Sequence, residues 1–463
     1  SMGRFLLWAS LFPLYRQEGY EAAKYPILWI ALALGIAVYG FDLVLDYLQR
    51  QKYYETEPPK DVMELVRQID KEDPSSEGDS LETRVRNSFF KSQLYGQDRM
   101  NVHIIHSAFD TVVDVLFMLS GMMPYLYDCS KSVATVIHLG SSETSICIIF
   151  SVIMSILEDV ISLPWSLYST FVIEEKYGYN KQTLRLFFSD MVKSFLVNMV
   201  TMLPLSAVVI FILRRAGPHA YLFVWGAVVL FSILLNMLYP ICILPLFNTM
   251  TPMEPSPLRD RLFALASAVG FRVSRLQVID SSQRTGHSNA AAYGFFGVNG
   301  ILVYDTLLKQ LSDDQIVGVV AHELGHWKRG HTYRMLIANA LEMFVVLFTA
   351  NFAIYNADFY HAFGFSDTPV LIGLLLFISM VWSNLSTLLS GVVNAISRKY
   401  EYQADTFAVE QGYGLDLKIA LTKLNVENAS SLSCHWLVDM IRSSHPSFVE
   451  RCKAISALEK KTQ

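Results

Sequence analysis

The chain has 463 residues, of which 52% are apolar or aromatic and only 17% are charged, against roughly 25% charged residues in an ordinary soluble domain. A mean hydropathy of +0.33 and long apolar runs exclude a soluble globular enzyme, a disordered chain and a fibrous chain. The net charge of −5 provides no basic excess for binding nucleic acid. Five cysteines without CxxC spacing argue against a disulfide framework and against a cysteine-based zinc site.

Seven apolar stretches are long enough, or nearly so, to cross a hydrocarbon core about 30 Å thick, which takes about 20 helical residues. They are 26–45, 104–126, 144–166, 191–213, 220–246, 335–357 and 369–395. The first lacks a small-residue cleavage site, so we interpret it as a retained helix and not a signal peptide. Six spans is the alternative, because the second stretch contains His106, Asp110 and Asp114.

Acidic residues fall inside the predicted spans, among them Asp110 and Asp114 in the second and Glu158 and Asp159 in the third. Charge at membrane depth is costly, so such residues usually face a bundle interior or a water-filled cavity. Two interpretations stay open, polar contacts between helices and a hydrated chamber inside the membrane.

Lys and Arg in the loops predict the orientation of the chain. With seven spans, segments 49–103, 167–190, 247–334 and 396–463 share one side of the membrane. The first two of these carry 12 Lys and Arg, against six in all segments of the opposite side, so the richer side is predicted to be cytosolic. The nearly terminal pair Lys460-Lys461 resembles a dilysine retrieval signal of the endoplasmic reticulum, with a solvated basic tail as the alternative.

The motif His-Glu-Leu-Gly-His at residues 322–326 is the sharpest chemical signal in the sequence. Ser312 and Gln315 form a capping-box pattern just before an apolar run, which predicts a helix from Asp313 to about Gly330. The motif therefore lies on a helix, and the alternative is a surface helix with incidental histidines.

His322 and His326 lie four residues apart, so on a helix they share one face and can both reach a zinc ion at ~2.0–2.1 Å. Glu323 is placed to accept a proton from the attacking water. A catalytic zinc needs a third protein ligand, and we predict Glu401 for that role because its segment shares the cytosolic side. Asp405 is predicted to hold the free N–H of one ligand histidine. The alternative for both acids is a solvated helix face.

Three further polar residues accompany this site. His331 is predicted to make a structural hydrogen bond at the membrane edge. His445 and Arg451 lie on the predicted cytosolic side, where they could donate hydrogen bonds to the tetrahedral oxyanion or to a substrate carboxylate.

These motifs resemble the integral-membrane CaaX prenyl protease type 1 family, zinc endopeptidases that process farnesylated proteins such as prelamin A. The resemblance rests on HELGHWKxGHT at 322–332 and SRxxEYQAD at 397–405. Other matching stretches lie at 90–92, 163–168, 171–176, 287–290, 293–296, 304–308 and 444–446. The chain departs from the pattern at Ala291-Ala292, where other members commonly carry bulkier residues.

The resemblance implies a mainly α, polytopic membrane fold, in which seven transmembrane helices surround a hydrated chamber capped by a HExxH zinc-protease domain with a small β element. The predicted boundaries are 1–246 for spans one to five with the cytosolic loop 49–103, 247–334 and 396–463 for the two parts of the protease domain, and 335–395 for spans six and seven.

The resemblance also implies roles for single residues. One zinc ion per chain is held by His322, His326 and Glu401, and Glu323 is the general base. His445 is similar to a family histidine near the reacting carbonyl, and Arg451 to a nearby arginine. The segment 287–296 resembles an edge strand that pairs with an extended substrate, which makes four residues candidates for substrate binding: His287, Ser288, Asn289 and Ala290.

The implied reaction removes the last three residues of prenylated CaaX proteins, and the family makes a second, upstream cut in some substrates. The expected partners are prenylated substrates and membrane lipid, without nucleic acid. The expected location is the endoplasmic reticulum membrane with a cytosolic C-terminus, and the nuclear inner membrane stays open as a second location. Three alternatives are a quality-control metalloprotease without a strict prenyl requirement, a site-2-type intramembrane protease, and a seven-span receptor, transporter or scaffold.

Overall fold

The computed structural model describes residues 26–73, 79–295 and 297–462. Residues 1–25, which the predicted first domain includes, and Phe296, which belongs to the predicted substrate-pairing segment, lie outside the described residues.

The described chain is mainly helical. In chain order its α-helices are α1 Pro26–Lys52, α2 Lys60–Glu72, α3 Leu81–Ser120, α4 Met122–Val136, α5 Glu143–Tyr168, α6 Glu175–Tyr177, α7 Leu184–Arg215, α8 Ala220–Leu238, α9 Leu244–Phe247, α10 Pro257–Ala268, α11 Asp305–Gln310, α12 Asp313–Lys328, α13 His331–Ile354, α14 Ala357–Ala362, α15 Val370–Phe377, α16 Ser383–Glu410, α17 Gly414–Glu427, α18 Trp436–Arg442 and α19 Phe448–Thr462. Short π-helical segments continue α5, α8 and α15, at Ser169–Glu174, Tyr239–Ile243 and Ile378–Trp382.

Within the described residues, seven helical runs are long and apolar enough to cross a membrane. They are Pro26–Lys52, Leu81–Ser120, Glu143–Tyr177, Leu184–Arg215, Gly217–Phe247, His331–Ile354 and Val370–Glu410. The prediction of seven spans is confirmed at the level of helix length and composition, because the second run qualifies despite its acids. The second run differs from the predicted 104–126, since α3 ends at Ser120. The next residue, Gly121, takes a left-handed conformation with φ 71°. Glycine adopts that conformation without the strain of a Cβ.

Two cavities lie between the spans. One of about 720 Å³ is bordered by α3, α5 and α7 and is lined by His106 and Asp159. Another of about 390 Å³ lies between α1, α3 and the last span and is lined by Asp114. Asp159 and Asp114 therefore border open space, which favours the hydrated chamber over polar contacts between helices at these two residues.

A four-stranded sheet carries the β structure of the protease part. Its strands are β1 Met250–Pro252, β2 Arg275–Ile279, β3 Ala290–Phe295 and β4 Val298–Tyr304, in the spatial order β1-β2-β4-β3. Strands β2 and β4 are parallel, while β3 pairs with β4 in antiparallel fashion and so forms one edge of the sheet.

The sheet packs on α12 through a buried apolar core. Ile301 and Val303 of β4 and Val317 and Val320 of α12 are fully buried in the same cluster. Each such side chain contributes ~1.5–3 kcal/mol through its removal from water. This packing fixes the helix that carries the HExxH motif against the sheet.

Candidate active site

The motif helix begins where the capping pattern predicts. In α12 the side chain of Ser312 caps the backbone of Gln315, and the side chain of Gln315 accepts from the backbone N–H of Ser312. The cap satisfies donors that the first helical turn leaves unpaired. The predicted helix from Asp313 to about Gly330 is therefore confirmed, with its end at Lys328.

Two small residues let α12 and α16 approach closely. A Cβ atom on Gly325 would stand 3.0 Å from the Cα of Ala404 and 3.1 Å from the Ala404 carbonyl oxygen. Any side chain at residue 325 would force the two helices apart. Their close contact brings the carboxylates of Glu401 and Asp405 to the histidine face of α12.

Side chains of three residues converge at this crossing. The Nε2 atoms of His322 and His326 lie 3.2 Å apart, and Glu401 places one carboxylate oxygen 3.5 Å from His322 Nε2 and the other 3.3 Å from His326 Nε2. Ligand atoms ~2.0–2.1 Å from a tetrahedral ion lie roughly 3.3–3.4 Å apart. The distance between the two nitrogens, and the distance from each nitrogen to its nearer Glu401 oxygen, are close to that separation.

The charge and burial of these groups also fit a bound cation. Glu401 and His322 are buried, and one carboxylate oxygen of Glu401 is buried without a hydrogen bond among the described residues. The nearest cation, Arg451 Nη1, lies 3.4 Å from that oxygen. A buried carboxylate oxygen without a hydrogen bond is costly, and coordination to a metal removes that cost. These three residues are the group that could hold a metal ion within the described part of the chain.

Asp405 and Arg451 lie behind His322. Asp405 accepts a hydrogen bond from His322 Nδ1 at 2.8 Å, and it also accepts from Arg451 Nε at 2.9 Å and Nη2 at 2.7 Å. Both residues are buried. The contact of Asp405 with a ligand histidine has the predicted geometry. Arg451 differs from the expectation of a direct donor to substrate, since its fork is engaged by Asp405.

Glu323 and His445 stand nearer to open space. Glu323 is half-buried and, within the described residues, makes no hydrogen bond or ion pair, so its carboxylate is free for a substrate or water. The side chain of His445 is 65% exposed, and its Nδ1 lies 3.0 Å from a carboxylate oxygen of Glu401. That carboxylate raises the pKa of His445.

His331 contacts a predicted metal ligand, which the sequence does not predict. It begins α13, is buried, and places Nδ1 3.0 Å from Nδ1 of His326. The prediction gave it a structural hydrogen bond only. Five residues separate the two histidines, a spacing that does not bring side chains together on one helix.

The segment 287–290 divides into two parts. The ring of His287 stacks on Tyr179 at 4.5 Å, and Ser288 donates to Gln310 at 2.6 Å, so both side chains are engaged within the protein. Asn289 is exposed, while Ala290 is buried and starts β3. The strand predicted for 287–296 is therefore shorter, because the side chains before Ala290 are bound elsewhere.

Edge strand β3 lies against the motif helix. A Cβ atom on Gly294 would stand 2.6 Å from the ring of Trp327, the residue that follows the motif. Absence of a side chain at residue 294 thus lets the strand lie directly on α12.

Comparisons with known proteins agree with this geometry. Residues 49–249 match the model of the CAAX prenyl protease N-terminal region with five membrane helices, and residues 254–459 match peptidase family M48. A protein of Arabidopsis thaliana named CAAX prenyl protease 1 homolog is 38% identical over 81% of this chain and 88% of its own length. The Homo sapiens protein of the same name is 30% identical, with 98% of this chain and 99% of that protein covered.

A solved structure shows the same fold. The crystal structure of S. mikatae Ste24p superposes with a TM-score of 0.84 at 29% identity, covering 92% of this chain and 98% of that one. The agreement extends over the spans and the motif-bearing part alike.

Proposed function

This chain belongs to the CAAX prenyl protease group of the M48 metallopeptidases, and from this premise we propose that it removes the last three residues of prenylated CaaX proteins at a zinc site. The observation that carries the proposal is the triangle of His322, His326 and Glu401 beside an unengaged Glu323. A second, upstream cut in some substrates is part of the proposal.

The metal would be held by His322, His326 and Glu401. When bound, zinc supplies Lewis-acid polarisation of the scissile carbonyl and lowers the pKa of a water molecule. Glu323 accepts the proton of the attacking water and then donates a proton to the leaving amine, so that the peptide bond breaks and one water is consumed.

The surrounding residues orient these groups. Asp405 holds His322 through Nδ1, which leaves the Nε2 lone pair for the metal. Arg451 compensates the buried charge of Asp405. His445 places Nδ1 3.0 Å from a carboxylate oxygen of Glu401 and has an exposed side chain, and we assign its second ring nitrogen as a donor to the developing oxyanion.

The peptide would bind along β3. Because β3 is an edge strand that lies on the motif helix, its backbone groups offer the pairing that an extended substrate uses. Ala290 begins this edge, while His287 and Ser288 support the turn before it. Pairing through the backbone tolerates varied residues in the last three positions of the substrate.

The spans and the loops support a proposal for the location. The chain crosses the membrane several times, and we propose that the protease part, 247–334 and 396–463, faces the cytosol from the endoplasmic reticulum membrane. Lys460 and Lys461 are exposed at the end of α19, where a retrieval receptor could contact them. A prenyl chain adds ~0.8 kcal/mol per buried CH₂, so a prenylated substrate binds the membrane in which the protease lies.

The test compares two peptides of one sequence, with and without a farnesyl group on the CaaX cysteine. Purified full-length protein in detergent is incubated with each, and the products are identified by mass spectrometry. We expect loss of the last three residues from the farnesylated peptide only. Equal cleavage of both peptides would contradict the prenyl requirement and favour a quality-control protease, and cleavage of neither would contradict the proposed substrate.

A further inference from the structure

His331 lies outside the three-residue metal triangle but contacts it. Its ring is 3% exposed and its Nδ1 stands 3.0 Å from His326 Nδ1. On the other side its Nε2 stands 2.9 Å from the side-chain oxygen of Gln403. The three side chains form a continuous line from α12 through α13 to α16.

The side-chain oxygen of Gln403 determines which atom donates in each hydrogen bond of this line. The amide oxygen of Gln403 can only accept a hydrogen bond, so His331 Nε2 carries the proton. A neutral imidazole has one N–H, so His331 Nδ1 is then an acceptor. His326 Nδ1 must donate to it, and His326 Nε2 keeps its lone pair on the side that faces His322 and Glu401.

The backbone and an aromatic ring hold His331 in this place. Gly330 has φ 68°, a left-handed conformation that turns the chain sharply between α12 and α13 and brings residue 331 back to residue 326. The ring of Tyr400 stacks on His331 at 4.3 Å with an angle of 11° between the planes. The ring is thus fixed in its plane as well as by its two hydrogen bonds.

The geometry points to His331 as a positioning residue that sets the tautomer and orientation of His326, with Gln403 as its anchor. The two ligand histidines are then held differently. His322 donates a hydrogen bond to the negatively charged Asp405. His326 donates to His331, which is neutral and so adds no charge near the metal. This inference rests on the metal site alone and does not depend on which peptide is cleaved.

The test compares two substitutions at one position in the full-length protein. His331→Phe keeps a planar ring that stacks on Tyr400 but offers no acceptor to His326. In His331→Asn the side-chain carbonyl oxygen can accept the hydrogen bond from His326 in place of the imidazole Nδ1. Zinc affinity is measured with a competing chelator, and the site is also loaded with cobalt(II) for its visible absorption spectrum. Loss of such a hydrogen-bond partner typically lowers metal affinity roughly 10- to 100-fold.

We expect His331→Phe to lower zinc affinity in that range and to change the cobalt spectrum, and His331→Asn to restore most of the affinity. Gln403→Leu tests the anchor without touching the ring, and it should weaken zinc binding several-fold. If His331→Phe does not fold, Gln403→Leu decides alone. Wild-type zinc affinity and cobalt spectrum in either His331→Phe or Gln403→Leu would overturn the inference and leave His331 a packing residue. Failure of the farnesyl-peptide test would not change these metal-binding results.

Discussion

The buried pair of Asp405 and Arg451 leads to a prediction about stability and metal affinity together. Asp405→Asn keeps the shape and an acceptor for His322 but removes the nearer carboxylate of the buried Arg451, which then has only Glu401 at 3.4 Å. Breaking a buried pair from one side costs ~3–5 kcal/mol, so we expect Asp405→Asn to lower the free energy of unfolding by about 3 kcal/mol. Arg451→Met should cost a similar amount, because Asp405 then keeps only its contact with His322.

The double variant separates the charge effect from packing. With both charges removed no buried charge is left unpaired, so the loss should stay near about 3–4 kcal/mol and not reach the sum of the single losses. The coupling between Asp405 and Arg451 is then about 2–3 kcal/mol, at the upper end for residues in contact. The free energy of unfolding of all three variants is measured by titrating the detergent-solubilised protein with a denaturing detergent.

The two single variants should differ in metal affinity. In Asp405→Asn the charge of Arg451 is left with Glu401, 3.4 Å away, and competes with a bound metal ion for that carboxylate, so zinc affinity should fall roughly 10- to 100-fold. In Arg451→Met the remaining carboxylate still holds His322, and the affinity should not fall. Equal weakening in both variants would refute this division of roles, and additive stability losses would refute the coupling.

An exposed ion pair nearby serves as the matched control. Arg329 and Glu410 join the ends of α12 and α16 at 3.2 Å, with both side chains well exposed. Exposed pairs contribute ~0–1 kcal/mol, so Arg329→Met and Glu410→Gln should change neither stability beyond that range nor zinc affinity.

Three further outcomes are expected. His326→Ala should reduce bound zinc from one ion per chain toward none, measured by elemental mass spectrometry, and retention of the ion would exclude His326 as a ligand. Gly330→Ala should destabilise the protein by roughly 1–2 kcal/mol in thermal unfolding, because φ 68° opposes a Cβ although no atom lies within 4 Å of it, and an unchanged melting temperature would contradict this. Lys418 is fully buried against Glu72 and Glu459, which are partly exposed. Lys418→Met should therefore change the unfolding free energy by only ~1 kcal/mol, whereas the double change Glu72→Gln with Glu459→Gln should cost ~3 kcal/mol by leaving a buried cation unpaired, and the reverse order would contradict the reasoning.

Local patterns made part of the site predictable. The capping pattern at Ser312 and the spacing of His322 and His326 are properties of one helix, so the sequence was sufficient for α12. Glu401 lies 75 residues beyond His326 in the chain, and shared sidedness suggested that the two meet. Their contact at 3.3 Å agrees with that interpretation.

Other features depend on contacts between elements that are distant in sequence. His331 reaches His326 only because the chain turns at Gly330 between two helices, so helical periodicity gave no signal for it. Arg451 is directed to Asp405 by the packing of α19 beside α16, which no motif encodes. His287 belongs to a segment that resembles a strand in sequence, but it lies before β3 and its ring stacks on Tyr179.

The most direct test of metal-dependent proteolysis is cleavage of the farnesylated CaaX peptide by wild type and by Glu323→Gln, with bound zinc measured in the same samples. Glu410→Gln, an exposed carboxylate change on α16, is the control. We expect Glu323→Gln to keep one zinc ion per chain and to lose cleavage by roughly 10²–10⁴-fold, while Glu410→Gln cleaves as wild type does. Full cleavage by Glu323→Gln with zinc bound would contradict the assignment of this site as the protease centre.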